Sequence, residues 1–162
     1  MKGFLPYDPG VIPTAPPPRA GDSILLHVEG LPPFKDWHFS VRNPRHRIHS
    51  RFMVLRQAAL KAMGGRAPYR GPIRLDFVMN APEFEPKKKL LDYADGIQDT
   101  LDGSHGTQFT YLPIVYEDDC QVCVGENIFR QSTEIFYEIR IQFMSDTGDG
   151  EQAPAGGAVP RA

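Results

Sequence analysis

Residues 72–103 read PIRLDFVMNAPEFEPKKKLLDYADGIQDTLDG, and along them the apolar spacing changes from every second position to every third or fourth. In the first part Ile73, Leu75, Phe77 and Met79 alternate with Arg74, Asp76 and Val78, which predicts a strand with one strongly apolar face. In the second part Leu90, Tyr93, Ala94, Ile97 and Leu101 fall within an arc of about 100°, as a core-facing helical stripe requires. A strand and an amphipathic helix, joined by a loop with Pro82, Pro86 and three lysines, form the centre of the fold. Upstream, SILLHVE over residues 23–29 is β-rich and predicts a first strand. The Pro- and Arg-containing loop GLPPFKDWHFSVRNPRHRIH follows, and Ser50 is placed to cap a helix RFMVLRQAALKAM that ends at Gly64 and Gly65. Downstream, a turn-rich stretch over residues 103–110 leads to two or three closing strands, near residues 112–116, 121–129 and 134–143. The last sets Ile135, Tyr137, Ile139, Ile141 and Phe143 on one side. The expected fold class is α+β, a mixed sheet with one face covered by two helices.

The chain has 162 residues, most economically one domain with a real core. Residues 1–21 hold six of the sixteen prolines without a period, so they read as a disordered Pro-rich arm. Residues 145–162 are small and polar and read as a disordered tail, leaving a folded body over residues 22–144. No apolar run approaches the roughly 20 residues that a membrane span needs, and the start lacks the apolar core of a secretory signal. Two cysteines, Cys120 and Cys123, give no disulfide framework, so a reducing, cytoplasmic setting is expected.

Charge is segregated along the chain. Residues 35–74 carry ten Lys/Arg against the single acid Asp36, whereas residues 75–162 carry sixteen acids against six basic residues. That division fits a phosphate-binding surface beside a metal site, or equally two solvated faces of opposite sign. Asp92, Asp95, Asp99 and Asp102 share one helical face and repel one another there. Asp118 and Asp119 follow at the start of a predicted strand, where only one of two neighbours can face the helix and the other faces solvent or fixes the turn. Converging carboxylates call for a hard divalent cation, while the alternative is an acidic surface and an acid-rich turn. Arg42, Arg45 and Arg47, interleaved with His46, His49 and the aromatics Trp37 and Phe39, suit a nucleic-acid contact loop, or a surface loop whose aromatics pack inward. His105 lies between the helix and the acidic turn and reads as a solvated loop histidine or a proton shuttle.

Over residues 24–143 the chain resembles the RusA family of Holliday-junction resolvases. The resemblance rests on Gly30-Leu31-Pro32-Pro33 after the first strand and a Gly71-Pro72-led strand. It continues with a helix ending Asp99-x-Leu101-x-Gly103, and with Asp118-Asp119-Cys120-Gln121-Val122. It implies a homodimeric endonuclease that uses Mg²⁺, with Mn²⁺ as the alternative ion, and cuts branched DNA in recombination or repair. In register with the family, Asp119 is the retained catalytic carboxylate. The family's Asp-x-Asp-Asn before the helix falls on Lys89, Leu91 and Asp92, and its helix lysine falls on Asp95. Two readings follow. Either Asp92 and Asp95 rebuild a metal site with Asp119, beside Asp118 and with Lys87, Lys88 or Lys89 as the phosphate-facing cation, or the site is dismantled and the protein binds branched DNA without cutting it.

Overall fold

The alternating segment 73–80 becomes the middle of a five-stranded sheet. The computed structural model describes residues 11–103 and 111–145. Its elements are β1 (Ser23–Glu29), α1 (His49–Met63), β2 (Ile73–Ala81), α2 (Leu90–Leu101), β3 (Val122–Val124), β4 (Asn127–Gln131) and β5 (Phe136–Phe143). Strand order is β1-β5-β2-β3, with β4 also on β2. β1 with β5 and β5 with β2 run antiparallel, while β3 and β4 run parallel to β2, so the sheet is mixed and the fold is α+β.

Alternation decides which face is covered. Ile24, Leu26 and Val28 of β1, Ile73, Leu75, Phe77 and Met79 of β2, and Tyr137, Ile139, Ile141 and Phe143 of β5 are all buried. Against them lie Phe52, Leu55, Ala59 and Met63 of α1 and Tyr93, Ala94, Ile97 and Leu101 of α2. Each such large apolar side chain contributes about 1.5–3 kcal/mol on full burial, so this single core dominates stability. The opposite face carries Leu25, His27, Arg140 and Gln142, all exposed. There His27 sits between Glu29 and Glu138 at 2.8 and 2.9 Å.

Several boundaries differ from the sequence expectations. α1 begins at His49 after Ile48, with no side-chain cap, and Ser50 lies inside the helix rather than capping it. The expected strand near residues 112–116 is instead a bent, largely buried segment, bridged once between Tyr116 and Tyr69. Its amides serve another purpose: Ile114 and Val115 donate to Leu101 O and terminate α2. The expected strand over 121–129 is broken into a 3-10 turn (Asp119–Gln121), β3 and β4. The break falls at Gly125, where a Cβ would stand 1.8 Å from Leu75 O, so the backbone runs alongside β2 too closely for a side chain.

The Pro-rich arm also needs correction from Val11 onward. Val11 is buried, Thr14 and Ala15 donate to Gly65 O, Ala67 donates to Ala15 O, and Gly21 donates to Phe143 O. Proline removes donors but leaves carbonyls and ring surface, enough to lay an extended segment on the body. The rest of the arm, and the tail after Ser145, lie outside the described residues. Among the described residues no helix is long and apolar enough to cross a membrane.

Candidate metal centre

The C-terminal end of α2 meets the 3-10 turn after residue 118. One carboxylate oxygen from each of Asp99, Asp102 and Asp119 lies within 4.8 Å of the others. Three carboxylate oxygens this close would hold a small hard cation after modest side-chain adjustment.

Asp102 is the most constrained of the three. It follows the last turn of α2 as a residue only 3 % exposed, and its Oδ1 has no hydrogen-bond partner among the described residues. Burial pushes its carboxyl up to about 7, and the neighbouring Asp99, Asp119 and Asp118 charges add to that against the opposing Arg42. A buried acceptor left bare costs about 1–3 kcal/mol, more when charged. A divalent ion supplies what that oxygen lacks, so the donor set fits one. Asp119, though exposed, is raised as well, first by partial desolvation and then by its hydrogen bond with Asp118 and the charge of Asp99.

Two arginines from the basic half of the chain hold this end of the helix. Arg42 Nη2 donates to Asp99 O at 2.9 Å and Gly103 O at 2.8 Å, and stands 4.0 Å from Asp102 Oδ1. Its Nε, like Asp102 Oδ1, has no hydrogen-bond partner among the described residues. Arg56, 1 % exposed, donates to Thr100 O and Leu112 O. Guanidinium groups suit a helix C-terminus because unsatisfied carbonyls and the negative dipole end gather there. Part of the charge segregation is therefore internal.

The turn that presents Asp119 is stapled by Gln121. Its Oε1 accepts from the amides of Glu117 and Asp118, and its Nε2 donates to Tyr69 O and Gly71 O. Asp118 accepts from Cys120 N and so fixes the turn, while Asp119 joins the acidic group. The sequence signal for Gln121 was present as Asp-x-x-Gln, the spacing of a capping box. Cys120 and Cys123 are both exposed and unbonded to each other.

Asp92 and Asp95 occupy other places. Asp92 Oδ2 accepts from Lys89 N at 2.9 Å, so this carboxylate caps the start of α2, about 15 Å along the axis from Asp102. Asp95 is exposed, held above its ordinary value by partial desolvation and opposed by Lys35. The structure thus brings Asp119 together with the C-terminal part of the acidic stripe, Asp99 and Asp102, and not with Asp92 and Asp95.

The cations named from the sequence are also distributed. Arg42 is used as described; Arg45 and Arg47 are exposed, with Arg47 over the Phe34 ring. Lys87 and Lys89 are exposed, and Lys88 Nζ lies 4.0 Å over Phe34. Lys35 is the cation beside the acidic group, with its Nζ 3.6 Å from Asp99 Oδ2 and its backbone amide anchored on Asp92 O. His46 and His49 face inward, His46 onto Asp36 and His49 onto Val41 O. His105 lies outside the described residues.

No model of a known protein family matches the chain, and no curated protein matches it.

Proposed function

We propose that the protein is a divalent-metal-dependent endonuclease acting on branched DNA, Holliday junctions among its substrates. The observation that carries this reading is the convergence of Asp99, Asp102 and Asp119, with a buried Asp102 oxygen that accepts no hydrogen bond among the described residues. The three carboxylates would hold Mg²⁺ or Mn²⁺. When bound, such an ion polarises a phosphodiester and lowers the pKa of a water that attacks it. Lys35 beside Asp99 supplies positive charge where a phosphate oxygen gains negative charge. Arg45, Arg47 and Lys87, all exposed, would provide phosphate contacts that hold DNA without reading sequence. Two copies would match a two-fold junction, and free exposed cysteines suit a reducing compartment such as the cytoplasm.

One observation favours a second reading, in which the protein binds branched DNA without cutting it. Lys89 and Leu91 stand where the resembled family carries its first two carboxylates. The two readings separate on a labelled four-way junction incubated with Mg²⁺ or Mn²⁺. Wild-type protein is expected to cut it, and Asp119→Asn to lower the rate by at least about 100-fold, beyond the 10- to 100-fold scale of outer-shell changes, while junction affinity in Ca²⁺ is retained. Binding without cleavage across metals selects the second reading, and failure to prefer junction over linear duplex removes both.

A further inference from the structure

A cavity of about 190 Å³ opens beside the acidic group, and the two share a residue: Asp99 lines the cavity wall and offers an oxygen to the carboxylate cluster. Phe34 and Phe52, both buried, are among the residues that line the cavity. Gly96 of α2 forms part of one wall. A Cβ there would come within 2.4 Å of Pro33 O, so its absence lets the loop carrying Phe34 close down on the helix.

At the rim stands Trp37, 78 % exposed, with Lys35 Nζ 4.4 Å over its ring. Among the described residues Trp37 is the most exposed large apolar side chain, so a flat ring can reach it without rearrangement of the loop. Its loop is held in place. Asp36 accepts from the amides of His38 and Phe39 and from Nε2 of the buried His46, and Phe39 stacks on His46 at 5.2 Å.

We infer that this cavity receives an unstacked nucleobase of the DNA substrate, with Trp37 as its stacking platform, next to the phosphate that the acidic group engages. The inference rests on the nuclease reading for the identity of that phosphate. Three features point to a base. The volume lies below the roughly 300 Å³ at which drug-sized pockets begin, which suits one flat ring system. The exposed indole of Trp37 lies among the lining residues, and bases stack on such rings whatever their sequence. Lys35 links the indole to Asp99, so the sugar joining a base to its own phosphate has only a short step to span. A paired base in a continuous duplex cannot enter without unstacking, whereas an unpaired base at a branch point costs least to move. The cavity therefore gives selectivity for structure rather than sequence.

Trp37 is the only tryptophan, so its emission reports the site directly. In Ca²⁺, a four-way junction with one unpaired nucleotide at the branch point is expected to quench Trp37 and shield it from iodide. The same junction with that nucleotide made abasic should do neither. Trp37→Ala, at an exposed position that leaves folding intact, should weaken the first complex about tenfold and leave the abasic junction and linear duplex unchanged. Trp37→Phe should recover most of the loss. Equal quenching by the abasic junction, an equal loss on all substrates, or quenching by free deoxynucleotide but not by junction would overturn the inference. Quenching without cleavage in Mg²⁺ or Mn²⁺ upholds the base site and removes the nuclease reading. Cleavage indifferent to Trp37→Ala and to the abasic change does the reverse.

Discussion

Asp102→Asn is expected to make the metal-free protein more stable and, on the proposed reading, to abolish junction cleavage. The carboxyl titrates near 7 in the fold against an ordinary value of 3.8. Below pH 3.8 it is protonated in both folded and unfolded chains and costs nothing. Between these values the unfolded chain releases a proton that the folded one keeps, so stability falls as pH rises, by a total on the order of 4 kcal/mol. Asparagine removes the charge but brings an amide that needs its own partners, which returns roughly 1–3 kcal/mol. The net gain should thus be about 1–3 kcal/mol at pH 8, shrinking towards pH 4 and turning to a loss where the amide's cost outweighs the vanishing charge penalty. Thermal midpoints in EDTA at pH 5 and pH 8 measure it. Adding Mn²⁺ should raise the wild-type midpoint at pH 8 and leave that of Asp102→Asn unchanged. A variant destabilised equally at both pH values would show that Asp102 has a structural partner instead.

Arg56→Ala is expected to be the most destabilising single change in the helical layer. The side chain is 1 % exposed and its guanidinium donates to Thr100 O and Leu112 O beside the rings of Phe52 and Tyr111. Truncation leaves buried carbonyls without donors, opens a cavity and withdraws positive charge from the C-terminus of α2. Together these should cost about 3–5 kcal/mol. Arg56→Lys keeps the charge but not the planar fork, and should recover only part of the loss. Urea midpoints at constant m-value check both, and a loss below about 1 kcal/mol would show that the helix end is held by other contacts. Because Arg56 grips the turn that carries Asp99 and Asp102, the same variant should bind Mn²⁺ more weakly.

Periodicity carried most of the fold into the sequence. β1 and α2 match their expected bounds, and β2 extends one residue beyond, because each has one face committed to a single core. Residues 112–131 were harder to read. There the chain spends its amides on a helix end, presses against β2 at Gly125 and turns around Gln121, none of which leaves a period. The same limit governs the site. The stripe Asp92, Asp95, Asp99 and Asp102 was visible, but helical spacing fixes the angle of a residue and says nothing about which end of the axis meets the acidic turn. The approach of residues 114–116 to the end of α2 decides that, and it selects Asp99 and Asp102. Lys35 was hidden for a similar reason, since a loop after β1 carries no periodic signal that it folds back over α2.

Binding of Mn²⁺ by single-site variants tests the metal centre most directly. Wild-type protein should bind one ion, and Asp99→Asn, Asp102→Asn and Asp119→Asn should each lose it, while Asp92→Asn and Asp95→Asn keep it. Loss in the Asp92 and Asp95 variants with retention in the other three, or no binding by wild-type protein, would contradict a metal centre at the C-terminal end of α2.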